Sequence, residues 1–89
     1  MIRIVYHENF LRSASDLPSV VQEKLGKLIV YLQDNPYHTL LHTKRLSGSL
    51  VGFLSFRITR DWRVIFRFLD PVTIQLLRVK HRKDIYRRI

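Results

Sequence analysis

Cysteine is absent from the 89 residues. That removes disulfides, thiolate metal sites and a cysteine nucleophile together, and it suits a reducing cytosol. Long apolar runs are absent too. Met1-Ile2-Arg3-Ile4-Val5-Tyr6 turns polar too soon for a signal peptide. No stretch approaches bilayer-spanning length, so a soluble, cytoplasmic protein is expected, with no membrane partner. No P-loop, GxGxxG, zinc-ligand or Ser-His-Asp pattern occurs. Low-complexity segments and internal repeats are missing as well, which leaves one small domain over residues 1–89. Acid is scarce: seven Asp and Glu stand against sixteen Lys and Arg, for a formal net charge of +9 and a pI near 10.7.

What is present is unevenly spread. Residues 1–43 hold four Lys/Arg against four Asp/Glu, whereas residues 44–89 hold twelve against three. The whole excess lies in the second half. A polyanion is the natural partner: RNA, DNA, an acidic protein or, less readily, a membrane surface. A merely soluble basic protein is the alternative, and the one-sided charge makes it the weaker one. Apolar residues make up 46% of the chain, enough for one core without staples.

Ile2, Ile4 and Tyr6 alternate and predict a short strand over residues 1–6. Residues 7–14 turn helical, with Phe10, Leu11 and Ala14 on one side. Asp16 is a candidate cap for the next helix, with Pro18 in its first turn. Leu17, Val20, Val21, Leu25, Leu28, Ile29 and Leu32 recur at spacings of three and four, an amphipathic helix that Asp34-Asn35-Pro36 stops. Gly26 inside it suggests close approach of the first helix. The two helices are expected to form an antiparallel hairpin. Residues 36–51 read as a connector that Leu40, Leu41 and Leu46 pin to the core.

Three strands follow, at about 53–58, 62–69 and 73–80, joined by Thr59-Arg60-Asp61 and the Asp70-Pro71 turn. Such close succession implies an antiparallel meander. The expected fold is α+β: an N-terminal strand and a helical hairpin packed on a mostly antiparallel sheet. The period of two sends Leu54, Phe56, Ile58, Trp62, Val64, Phe66 and Phe68 toward the helices. Arg57 and Arg63, with Ser55 beside them, then share the open face. Leu77 and Val79 are expected inward, and Arg78 and Lys80 outward.

Like charges on adjacent strands repel unless an anion joins them. Arg57 and Arg63 therefore read as a phosphate clamp, since guanidinium matches phosphate oxygens in a bidentate fork. Solvated surface is the alternative. His81 can move a proton near neutrality, or it is a polar residue at a strand exit. Arg82 stays protonated and suits a growing negative charge. Tyr86 can stack on a base or pack on the sheet edge. Lys44, Arg45, Arg60, Arg78, Lys80 and Lys83 are candidate backbone-phosphate contacts. His38 and His42 are four residues apart without a carboxylate or cysteine nearby, which argues against a metal site. Trp62 lies on the apolar face and reads as core.

Residues 46–86 carry Leu46-Ser47-Gly48, Ser55-Phe56-Arg57-Ile58, Asp61-Trp62-Arg63-Val64-Ile65-Phe66 and His81-Arg82-Lys83-Asp84-Ile85-Tyr86. Together these resemble the RelE/ParE superfamily of type II toxins, and the order of elements extends the resemblance over nearly the whole chain. The resemblance implies a microbial-ribonuclease-like fold. On the RelE branch it implies an mRNA interferase, acting on mRNA and often on the ribosome, in which the preceding ribose 2′-OH attacks the scissile phosphate without metal or cofactor. A cognate antitoxin would silence it. Arg57, Arg63, Arg82 and Tyr86 match the family's basic and tyrosine positions. Ser55 stands where a further lysine is frequent, and His81 is a substitute acid or base. The ParE branch implies DNA gyrase inhibition instead and typically lacks the full cationic and tyrosine set, so these residues favour the ribonuclease branch. A nucleic-acid-binding module without chemistry is the third reading.

Overall fold

The computed structural model describes residues 1–85. Strand β1 (Arg3–Tyr6) leads through α1 (Glu8–Ser15) and α2 (Ser19–Asp34) to a two-residue strand β2 (Lys44–Arg45). Strands β3 (Leu54–Arg57), β4 (Trp62–Asp70) and β5 (Thr73–His81) follow, and a 3₁₀ turn spans Arg82–Asp84. The sheet runs β1-β5-β4-β3-β2. β1 pairs with β5 in parallel, and all other pairs are antiparallel. The expected α+β architecture of two helices on a mixed, mainly antiparallel sheet is thus observed.

The helix-facing side of the sheet holds the main core. Phe56, Val64, Phe66, Ile74 and Leu76 are fully buried there with Leu28 and Leu32 of α2 and Phe10 of α1. Burying each such side chain contributes about 1.5–3 kcal/mol. Helix α1 is also tied to β5 by a hydroxyl. Ser13 Oγ accepts from the Val79 amide at 2.9 Å and donates to the Asn9 carbonyl at 2.7 Å. It satisfies a strand amide beyond Leu76, where β1 has ended.

Four expectations are corrected. Asp16 does not open α2: it closes α1, its amide reaching the Ser13 and Ala14 carbonyls, and Pro18 is the residue before α2 with no side-chain cap. Gly26 is not a close-approach position, because a Cβ there meets nothing within 4 Å. The 36–51 connector contains two 3₁₀ turns, Thr39–Leu41 and Gly48–Leu50, and between them β2, the fifth strand of the sheet. Nor is the second sheet face wholly open. Leu46 and Leu50 fold over it and bury Ile65 and Leu77, with Phe53 and Ile85 at the rim.

Leu77 reaches that second face through a bulge. Val79 opposes Val64, Arg78 opposes Ile65, and Leu76 opposes Phe66, so Leu77 is the extra residue. Simple alternation would have sent Leu77 inward with Val79. Instead Val79 joins the main core and Leu77 the smaller one.

Candidate functional site

Strand register builds the site row by row. Arg57 opposes Arg63, and Arg63 opposes Lys80, so three cations cross three strands in one line. The next line on the same face is Lys44, Ser55, Ile65 and Arg78. Ile65 sits in the small core, which seats the middle of that line firmly. The 3₁₀ turn after β5 then brings Arg82 and Lys83 alongside. The Arg82 amide donates to the Asp61 carbonyl at 2.8 Å, and its Nε stands 3.5 Å from the Asp61 carboxylate. Asp61 thus holds the turn at both backbone and side chain.

These parts enclose a cleft of about 440 Å³ lined by His42, Lys44, Leu46, Ser55, Arg57, Arg63, Arg82, Lys83 and Ile85. Five of the nine residues are cations and none is an acid. Arg57 Nε is buried without a hydrogen-bond partner among the described residues, a donor that an anion in the cleft is placed to satisfy. Burial, then repulsion from Arg57 and from Arg82, lowers the Arg63 pKa below the ordinary arginine value. Guanidinium groups gathered in this way offer forked donors of the kind that match carboxylate or phosphate oxygens.

Among the sequence-predicted residues, Arg57, Arg63, Arg82, Lys44, Lys83 and Ser55 share this cleft. Ser55 is buried, and its place in β3 is flanked across the ladder by Lys44. The remaining candidates lie elsewhere. Arg45 opposes Leu54, which puts it on the side of the ladder opposite to Lys44. Arg60 lines a neighbouring hollow with Lys24, Lys27, Tyr31 and Leu40, which shares His42 and Arg57 with the cleft. Arg78 opposes the buried Ile65. Lys80 Nζ donates to the Asp84 carbonyl at 3.3 Å. Tyr86 lies outside the described residues.

His81 does not line the cleft. Its ring meets Trp62 edge-on at 5.2 Å, and its Nδ1 accepts from the Lys83 amide at 3.2 Å. It caps the turn that carries Arg82 and Lys83. His38 is likewise a capping residue, with Nδ1 accepting from the Leu40 amide. His42 is the functional-site residue that sequence reasoning missed. It follows a 3₁₀ turn in left-handed backbone, φ 50°, and it lines the cleft. No sequence periodicity marks it. Its position becomes visible only once β2 is known to pair with β3. Among the described residues no group of three or more His, Cys, Asp or Glu is arranged to hold a metal ion, and no helix there is long and apolar enough to cross a membrane.

A family model described as the ParE toxin of the type II toxin-antitoxin system, parDE, matches residues 4–86. No curated protein sequence matches the chain significantly. Among solved structures, the YoeB/ParE toxin from Agrobacterium tumefaciens superposes with a TM-score of 0.76 at 19% identity, covering 90% of this chain and 98% of that one. A chain of the RelBE2 toxin-antitoxin complex from Mycobacterium tuberculosis gives 0.76 at 24%, covering 91% and 98%. One from the archaeal RelE-RelB complex of Pyrococcus horikoshii gives 0.75 at 21%, covering 91% and 94%. At these identities the likeness concerns the fold.

Proposed function

The chain belongs to the ParE toxin family of type II toxin-antitoxin systems, within the RelE/ParE superfamily, and from that premise we propose that it is a metal-independent endoribonuclease cleaving mRNA, on the ribosome. The observation that carries this reading is the acid-free cleft, in which Arg57, Arg63 and Arg82 converge with Lys44 and Lys83. A phosphodiester is the anion such a cleft suits. Attack by the preceding 2′-OH forms the O2′–P bond and breaks P–O5′, giving a 2′,3′-cyclic phosphate and a 5′-hydroxyl. Negative charge grows on the non-bridging oxygens as the phosphorus becomes five-coordinate. The three guanidinium groups line the cleft and would hold that charge, Arg82 while its Nε stands 3.5 Å from the Asp61 carboxylate. Arginine does not give up its proton at working pH, so proton transfer falls to an imidazole, His81 in the sequence-based reading, or to Tyr86. Lys44 and Lys83 take phosphates beside the scissile one, and Arg45, Arg60, Arg78 and Lys80 lie on the flanks for a longer chain or for ribosomal RNA. No cofactor enters the reaction.

The natural silencer is a cognate antitoxin, encoded beside this chain, whose acidic or amphipathic segment covers the cationic cleft. The toxin-antitoxin complexes among the structural relatives support this. A protein of this kind acts in the cytoplasm, where mRNA and ribosomes are.

The test is induction of the chain alone, followed by primer extension on cellular mRNA, with Arg82→Ala in parallel. New 5′ ends from the parent and none from the variant support the reading. Equal cleavage by Arg82→Ala would sink the catalytic assignment. A second reading rests on the family model itself, which is that of ParE: the chain inhibits DNA gyrase through the same basic surface and cuts nothing. Purified protein that blocks supercoiling while translated mRNA stays intact establishes that reading instead.

A further inference from the structure

We propose that His42, and not His81, is the proton acceptor for the attacking 2′-hydroxyl. The assignment rests on the ribonuclease reading and deepens it. The residues lining the cleft are five cations, two aliphatic side chains, a buried serine and His42. Among the described residues of the cleft, only an imidazole belongs to the class that exchanges a proton near neutral pH. His81 is turned away: Nδ1 is committed to the Lys83 amide and the ring abuts Trp62. His81 is a positioning residue for the turn that bears Arg82.

The backbone at His42 supports the assignment independently. Its φ of 50° makes it the one non-glycine residue with positive φ among those described. Left-handed backbone is uncommon outside glycine, asparagine and aspartate. Here it directs the chain from the Thr39–Leu41 turn into β2, and His42 lines the same cleft as Arg57 and Arg63. The charged residues lining the cleft with it are Lys44 from β2, Arg57 from β3, Arg63 from β4, and Arg82 and Lys83 from the turn after β5. In the step itself, an imidazole nitrogen takes the 2′-hydroxyl proton as O2′ bonds to phosphorus. The electron pair of the breaking bond stays on O5′, which takes a proton from water, and the imidazolium later returns its proton to solvent. The growing phosphorane charge stabilises the imidazolium formed beside it.

The experiment measures cleavage rates of a defined mRNA in a translating extract. It compares the full-length parent with His42→Asn, His42→Gly, His81→Gln and Arg82→Ala. Asparagine and glycine both tolerate φ of 50°, and thermal unfolding confirms that each variant is folded. His42→Asn and His42→Gly should slow cleavage by about 10²–10⁴-fold, and His81→Gln by less than about tenfold. Free imidazole should restore the rate of His42→Gly and leave Arg82→Ala unchanged, which a merely structural role does not predict. Either a His42→Asn rate within about tenfold of the parent or a failure of imidazole to restore His42→Gly overturns the assignment alone. No cleavage by the parent overturns the ribonuclease reading, and the assignment falls with it.

Discussion

The two faces of one sheet have opposite economies. The helix side is covered by α1 and α2 and buries a large continuous core. The other side buries a smaller apolar cluster of Leu46, Leu50, Ile65 and Leu77, and beside this small patch it gathers cations. Strand β4 serves both at once: Val64 and Phe66 face the helices, and Arg63 and Ile65 face the cleft. The second face holds penalised charge: burial first, then repulsion from Arg57 and Arg82, lowers the Arg63 pKa, and Arg57 Nε is buried without a hydrogen-bond partner among the described residues. The candidate site lies on the less satisfied face of a strand whose other face is packed in the main core.

Substitutions along β4 and its neighbours test that division. Phe66→Ala, on the helix side, should destabilise by about 3–5 kcal/mol and leave little folded protein at 37 °C, read by urea denaturation. Arg63→Ala, its neighbour on the other face, should do the reverse. Cleavage should fall by about 10²–10³-fold, while Tm stays level or rises. The sign follows from the shift. A lowered pKa means the charged form is the penalised one, and Arg63 remains charged through the neutral range. The penalty would vanish only on deprotonation near the top of the pH scale, so removing the charge, or supplying an anion, relieves it. Inorganic phosphate should therefore raise the Tm of the parent more than that of Arg63→Ala. Ile65→Val trims the small core, costing about 0.5–1.5 kcal/mol, and its activity loss should exceed what that destabilisation explains. Gly26→Ala, on open helix surface, should add about 0.5–1 kcal/mol and leave activity unchanged. Asp61→Asn loosens an exposed pair worth about 0–1 kcal/mol, so its effect should appear in cleavage rate before it appears in Tm.

Much of the fold was legible because long strands advertise their period. β4 and β5 lie within a residue of the boundaries that alternation predicts, and the residues of β3 and β4 assigned to the helix side are in the main core or packed against it. Alternation failed where the chain breaks step. The bulge at Leu77 reverses that residue's face, and a bulge leaves no signature in hydrophobic pattern. β2 is two residues long, too short for any periodicity, and its consequences were lost with it: Lys44 beside Ser55, and His42 on the wall. The covering of the second face was missed for a related reason. In the sequence Leu46 looks like a pin for a loop, and only the folded connector shows that it and Leu50 cover the second side of the sheet. The arginines were legible because repulsion between like charges on adjacent strands is a local argument. The placement of His81 was not, because a histidine that caps a turn and one that lines a cleft read identically in a sequence.

The parallel pairing of β1 with β5 sets a constraint on the order of assembly. Residues 3–6 are made well before residues 73–76, their strand partner among the described residues. While the chain is being synthesised, β1 has nothing to pair with, and the Ser13 hydroxyl waits for an amide 66 positions later. Contacts this distant in sequence form late and close large loops. Arg82 and Lys83 come later still. A nascent chain can therefore build its helical hairpin and much of its meander while the cleft still lacks the wall that Arg82 and Lys83 supply.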